Sequence, residues 1–376
     1  MSIAIVALLA VAAFLAAVNG ANDAGKPVAT LGGSGVASYR RSLLWGALAT
    51  TAGALVSSVV ASGLVRTFAS GFLVGAPGDG HREAAAAAIA AAAWVLLATW
   101  RSAPVSTTHA IAGGLIGAGI ASGGLGMVAW ASLVPRVFIP LAASPLAAAA
   151  LGAVLVPLVE RTVGRWKGAC VCVGLTEGRL VTALALNSSS AGYALAPAMP
   201  VARVGADSEE CRSPRSVAIA MRPVHLHWLS ATMTSFARGL NDAPKIAALA
   251  LPLVVSGGRL GGLPFVVVAI AMGMGSVLGG FRIARVLGEG ITRLEGHRGL
   301  GANLATSLLV LGASPLGLPV STTHVAAGAI TGAGLSAGPG SISWSLVKEI
   351  VAAWVLTLPF TALVGAAAVL TLRWVA

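Results

Sequence analysis

Asn22, Asp23 and Lys26 interrupt a long apolar stretch, and Asn241, Asp242 and Lys245 do so again 219 positions later. Pro104-Val105-Ser106-Thr107-Thr108-His109 likewise returns, 215 positions on, as Pro319-Val320-Ser321-Thr322-Thr323-His324. The acid stands 83 residues before the first serine of its hydroxyl cluster in one copy and 79 in the other, so one unit occurs twice. A carboxylate held in hydrocarbon costs about 2.5–3.5 kcal/mol on insertion scales, which makes Asp23 and Asp242 candidate coupling residues. With Asn22, Asn241 and opened backbone carbonyls they form a hard oxygen set suited to Na+, or the carboxylates carry a proton. The purely structural alternative pairs Asp23 with Lys26 and Asp242 with Lys245, one helical turn apart. Such pairs do not need the neighbouring asparagines or the glycine and proline around them.

The hydroxyl clusters supply complementary chemistry. Each follows a proline and reads as a helix start, where free backbone N–H groups and the positive end of the helix dipole favour an anion by up to about 2 kcal/mol. Ser106, Thr107, Thr108, Ser321, Thr322 and Thr323 are therefore candidate ligands of a tetrahedral oxyanion, with Asn22, Asn241, Lys26 and Lys245 as further donors. Serine and threonine also cap helices for structural reasons; the duplication favours function. No carboxylate shares the motif with His109 or His324, so a Ser-His hydrolase lacks its orienting group, and the histidines read as supporting hydrogen-bond partners. Arg101 has no counterpart before Pro319, and either reaches the anion as a fork of donors or snorkels to an interface.

The elements that must place these residues belong to a membrane. Of 376 residues 57% are hydrophobic and 10% charged, with a mean hydropathy of +0.89, more apolar surface than one soluble core uses. The net charge of +12 lies mostly between the apolar runs, which fits a positive-inside bias and not nucleic acid. Apolar runs cover 3–19, 43–62, 84–100, 103–122 and 137–159, then 226–256, 264–281, 300–335 and 346–372. The first is short for a crossing, so the helix is expected to continue through the motif, broken at Asn19-Gly20 and around Pro27. A cleaved signal peptide is not expected, because no basic start precedes the first run.

The reading is an all-α integral membrane protein with broken helices and re-entrant helical hairpins. Residues 1–160 are a first repeat, 161–222 a basic cytoplasmic loop, and 223–376 a second, inverted repeat. The stretch 180–201 is expected as loop, not span. Placing Arg40-Arg41, the central loop and Arg282, Arg285, Arg293 and Arg298 inside requires three crossings and one hairpin per half, with both termini outside. Cys170, Cys172 and Cys211 give neither a disulfide framework nor a zinc pattern and are expected as free thiols.

At these motifs the chain resembles the inorganic phosphate transporter (PiT) family, which carries Gly-Ala-Asn-Asp in each half and a Pro-x-Ser-Thr-Thr-His-like hairpin. Gly20-Ala21-Asn22-Asp23 matches fully, Gly239-Leu240-Asn241-Asp242 has one change, and both hairpin motifs match. The resemblance spans nearly everything but the central loop. It implies symport of inorganic phosphate with Na+ or H+ across the lipid bilayer of the cell, a homodimer, and a site built by both halves. Asp23 and Asp242 would then be the Na+ ligands if Na+ is the coupling ion, and no cofactor is implied beyond a bound Na+. The family usually has Asn where this chain has Lys26 and Lys245. An ammonium can take the place of Na+: at about 4 Å and an effective dielectric near 20, Asp and Lys attract by about 4 kcal/mol. Reduced Na+ dependence with proton coupling, or direct contact of the lysines with the anion, is expected. The competing functions are transport of another tetrahedral oxyanion such as sulfate, a channel and, from another class, a membrane receptor or scaffold with a cytoplasmic regulator on the central loop.

Overall fold

The described residues of the apolar runs are mainly helical, with 300–335 divided between two helices. The computed structural model describes residues 3–75, 80–163, 222–255, 262–292 and 296–375, together with short strands between 169 and 221. The first half holds α1 (Ile3–Asp23), α2 (Gly25–Gly33), α3 (Tyr39–Val60), α4 (Ser62–Ser70), α5 (His81–Trp100), α6 (Thr107–Gly123), α7 (Trp130–Leu133) and α8 (Ile139–Thr162). The second holds α9 (Pro223–Val255), α10 (Leu263–Gly290), α11 (Gly296–Ala313), α12 (Thr322–Leu335) and α13 (Trp344–Val375). Six stretches among the described residues are long and apolar enough to cross a bilayer: 6–33, 39–60, 81–100, 130–162, 263–290 and 344–374. α5 alone is about 30 Å long at 1.5 Å per residue, so the first arm of its hairpin reaches across the hydrocarbon.

The break at the acid motif is slighter than expected. Only Ala24 separates α1 from α2, its dihedrals stay helical (φ −61°, ψ −28°), and its amide still reaches Gly20 O at 3.0 Å. α9 runs unbroken through Asn241-Asp242. The cause is that Pro27 and Pro244 each remove one N–H, which frees one carbonyl four residues back without unwinding a turn.

Exchange of the two copies leaves the packing unchanged. α1 packs on α10 as α9 does on α3, α6 on α13 as α12 on α8, and α1 on α5 as α9 on α11. The hydroxyl-bearing helices pass at backbone distance: a Cβ on Gly113 or Gly117 would meet the α13 backbone at Leu358 or Ala362. On Gly328 or Gly332 it would meet the α8 backbone at Pro145 or Ala149. These are small-xxx-small seams, the way helices approach closely where lipid offers no hydrophobic driving force.

The equivalent helices run to opposite ends. α2 ends where α9 begins, with His227 Nε2 3.1 Å from Thr30 Oγ1. The start of α3 joins the end of α10 there, Tyr39 meeting Phe281 edge-on at 5.8 Å. The end of α8 joins the start of α11 through Glu160 and His297 at 3.3 Å. α12 also finishes there, Ser341 Oγ donating to Gly334 O at 2.8 Å beside Ile291. α6 finishes at the other end, where Arg373 of α13 donates to Ser122 O at 2.8 Å.

The stretch between α8 and α9, expected as a loop, contributes short antiparallel strands. β1 (Ala169–Leu175) lies between β4 (Pro200–Ala206) and β5 (Ile219–Met221), pairing Cys172 with Arg203 and Ala220. β2 (Leu180–Ala183) pairs with β3 (Gly192–Leu195), so the described residues of 180–201 are strand. Cys211 lies outside the described residues.

Candidate functional site

Both hairpin tips are shaped by a helix stop followed at once by a helix start. α5 ends with Ser102 N reaching Thr99 O at 3.0 Å and Ala103 N reaching Ala98 O at 2.8 Å. α11 ends identically, with Gly317 N to Ser314 O and Leu318 N to Ala313 O, both 3.1 Å. This double closure needs a left-handed residue: Ser102 has φ 59° and Gly317 φ 69°. After the prolines the serines cap the next helix. Ser106 Oγ accepts from His109 N at 3.2 Å, and Ser321 Oγ from His324 N at 3.4 Å.

The asparagines hold the tips in place. Asn22 donates to Ala103 O and Thr99 Oγ1, both at 3.0 Å, and accepts from Val105 N at 3.2 Å. Asn241 donates to Val320 O at 3.0 Å and accepts from Ser314 Oγ at 3.4 Å. Their polar atoms are thus engaged by the hairpin backbone and by the tip hydroxyls.

Between the tips the charged residues cross from one half to the other. Lys26 is ion-paired with Asp23 and hydrogen-bonded to Thr323 Oγ1 of the opposite half. Its equivalent Lys245 lies 3.2 Å from Asp242 and donates to Thr108 Oγ1 at 2.8 Å, again across the halves. Thr322 Oγ1 stands 3.3 Å from Asp23 Oδ2 and 3.1 Å from Asp242 Oδ2, so one hydroxyl links the two acids. Thr107, the equivalent hydroxyl, accepts from Asn19 Nδ2 at 2.9 Å, and the same amide donates to Asp23 at 3.1 Å. All these side chains are buried; none exceeds 5% exposure. An oxyanion entering here finds two ammonium groups, threonine hydroxyls and two helix starts.

The structure therefore brings together every singled-out motif residue: the acids, lysines and threonines face one another, while the serines and asparagines shape the tips. His109 Nδ1 lies 2.8 Å from Ser106 Oγ, and its ring is 4.6 Å from that of His324, behind the hydroxyls. Arg101 is exposed, whereas the residues of the cluster are buried.

Two residues of the site were not singled out from sequence, Asn19 and Arg238. Arg238 is 2% exposed, and its guanidinium reaches Asn19 Oδ1 at 3.4 Å, Thr50 Oγ1 at 3.5 Å and Ser276 Oγ at 3.4 Å. An arginine inside the run 226–256 was a legible signal, and so was the 219-residue offset, which sets Asn19 opposite it.

Comparison with known proteins shows which family and fold the chain shares. A profile described as the phosphate transporter family matches residues 19–365. The chain is 28% identical to the inorganic phosphate transporter 2-1, chloroplastic, of Arabidopsis thaliana over 95% of this chain and 69% of that one. It is 28% identical to a probable low-affinity inorganic phosphate transporter of Rhizobium meliloti, over 96% and 94% of the two chains. A solved structure titled the sodium-dependent phosphate transporter superposes over all of both chains with a TM-score of 0.77 at 22% identity, which speaks to the fold.

Proposed function

Because the chain belongs to the phosphate transporter family, we propose that it is a secondary transporter that carries inorganic phosphate across the membrane together with a cation, through the cluster between its hairpin tips. The observation that carries this reading is the reciprocal pair of ties, Lys26 to Thr323 and Lys245 to Thr108, closing over two buried aspartates. Phosphate oxygens replace the threonine oxygens as partners of the ammonium groups, each exchange trading one charge-assisted contact for a stronger one. The threonine hydroxyls and the first-turn amides of α6 and α12 then donate to the anion. Asn22 and Asn241 act by positioning.

The lysines bear on the coupling ion. Na+ needs several oxygen ligands, and Asp23 and Asp242 already accept from lysine, threonine and asparagine. This donor set fits a resident ammonium better than a transported Na+, so proton coupling is the reading it supports.

The opposite directions of α6 and α12 and the repeated helix order support an inverted pair of repeats with the site at their junction. The lysine and arginine bias supports a cytoplasmic basic end, with both termini outside. A homodimer, a cytoplasmic regulator at the central strands and the division at 160 and 222 complete the proposal.

Uptake of labelled phosphate into proteoliposomes, with Na+ and pH gradients set independently, tests it. Accumulation driven by the pH gradient without Na+ is expected, and excess sulfate should compete weakly. Asp23→Asn and Asp242→Asn should each abolish accumulation while the protein stays monodisperse. Collapse of transport without Na+ at fixed pH, or normal flux in either variant, refutes the respective assignment.

A further inference from the structure

Asn19 and Arg238 are equivalent positions of the two copies, each one helical turn before its own aspartate. Equivalent residues of two exchanged halves meet only on the pseudo-two-fold axis, and these two meet, Arg238 Nη2 donating to Asn19 Oδ1 at 3.4 Å. The axis of the site therefore holds an amide from one half and a guanidinium from the other.

Arg238 is poorly bonded for a buried charge. Its contacts with Asn19, Thr50 and Ser276 all lie at 3.4–3.5 Å, long against the 2.7–2.9 Å or so of charge-assisted bonds, and its Nε has no hydrogen-bond partner. Among the described residues no carboxylate forms an ion pair with it; of the titratable groups on the surrounding α1, α3, α9 and α10, Asp23 and Asp242 act on its charge from a distance. A residue needed only for packing between these helices would serve as leucine or methionine, without an unpaired buried charge. What the guanidinium adds is charge. In their ordinary ionised forms the site's two carboxylates face three fixed cations, Lys26, Lys245 and Arg238, whereas asparagine on both sides of the axis would leave two against two.

We infer that Arg238 is the resident counter-cation on the axis of the site, which balances a singly charged tetrahedral oxyanion so that it binds without a metal cation. The inference rests on the phosphate-transport reading and extends it to the charge of the form carried. The dianion, which carries one proton, would leave the enclosed site negative, while the monoanion brings a second proton across and leaves the site neutral. Moving the monoanion is equivalent in atoms and charge to moving the dianion with one H+, so no side chain has to give up a proton in the cycle.

Two substitutions remove the extra charge in different ways. Arg238→Asn makes the axis symmetric. Asn19→Asp leaves the guanidinium in place and gives it a carboxylate partner, so folding does not depend on losing a buried side chain. Labelled phosphate uptake is measured in proteoliposomes at fixed pH and membrane potential, with Na+ or choline, and phosphate binding is read separately from the shift in melting temperature in detergent. The wild type and Arg238→Lys should transport equally in Na+ and choline. Arg238→Asn and Asn19→Asp should lose tenfold or more of uptake in choline and recover it in Na+, with phosphate raising their melting temperature only when Na+ is present. Folded variants that keep wild-type uptake in choline overturn the inference, and so do variants that Na+ fails to rescue in both uptake and binding. If Arg238→Asn does not fold, Asn19→Asp decides alone; should neither fold, the axis pair is structural and the inference falls. A wild type that needs Na+ overturns this inference and leaves phosphate transport standing, whereas a wild type that takes up no phosphate removes both.

Discussion

Thr322 shows what a single hydroxyl does in this site. It has one proton and two carboxylate oxygens in reach, at 3.3 Å on Asp23 and 3.1 Å on Asp242, so it ties the acids of the two halves through one group. Thr322→Val keeps the shape and removes the donor, leaving a buried carboxylate short of a partner at a loss of about 1–3 kcal/mol. Expressed as kcat/KM for phosphate uptake that is about five- to 150-fold. Thr322→Ser, which keeps the hydroxyl, should retain most of the activity; equal kinetics in the valine and serine variants would show that the link does not matter. At this scale the sequence was legible wherever chemistry was duplicated, since paired Asp, Lys and Ser-Thr-Thr announce themselves by recurring. It was less legible where the copies differ. Asn19 and Arg238 share a position but not a residue type, so a search for identity passes over them, and only the fold reveals that they touch. The division of labour inside a motif was hidden as well: nothing in Ser-Thr-Thr says that the serine caps the helix while the threonines cross to the other half.

The hairpins depend on how α5 and α11 stop, and there the two copies are unequal. Gly317 adopts φ 69° without a Cβ to object, whereas Ser102 holds φ 59° with one. The left-handed conformation costs a residue other than glycine about 1–2 kcal/mol. Ser102→Gly should therefore stabilise the protein by roughly 1 kcal/mol, seen as a higher melting temperature in detergent with uptake unchanged; a lower one would mean that the serine side chain has a role of its own. The outer walls of the hairpins are glycine seams. Gly332→Val would drive side-chain atoms into Ala149 O on α8 and displace α12, lowering stability by about 1–3 kcal/mol and uptake with it. Gly312→Ala, in α11 with no neighbour near the added carbon, should be neutral or slightly stabilising, and this contrast separates close packing from a general intolerance of larger residues. Hydropathy located these helices well, because runs of apolar residues are long and uninterrupted. It could not show that Pro27 and Pro244 barely disturb their helices, since a missing N–H frees one carbonyl and neighbouring turns absorb the rest. Nor did it show the pairing of the central strands, whose β1–β4 register joins residues 25 to 37 positions apart.

At the scale of the whole molecule the loops sort into two ends, and the sorting comes from contacts, not from any assumption about the bilayer. The ends of α2, α8, α10 and α12 gather with the starts of α3, α9 and α11, bringing Arg40, Arg41, Arg161, Arg222, Arg282, Arg285 and Arg298 to one end of the bundle. The opposite end, where α6 meets the C-terminal turn of α13 and the 130–162 stretch begins, carries Arg82, Arg136 and Arg373. Cationic loops are retained on the cytoplasmic side, so the orientation proposed from this asymmetry applies to the entire molecule at once and not helix by helix. α13 starts at the basic end, beside Ile291, and finishes at the other, so the proposed orientation has the C-terminus outside and the loop between α8 and α9 inside. A reporter that is active only in the cytoplasm should work when inserted near residue 178 and be silent when fused after residue 376. A reporter active only outside should do the reverse. The two fusions must disagree, because an odd number of crossings separates the two points; agreement would mean that one half does not run opposite to the other. The shared site would then lose the symmetry that lets the same lysine–threonine tie close it from both directions.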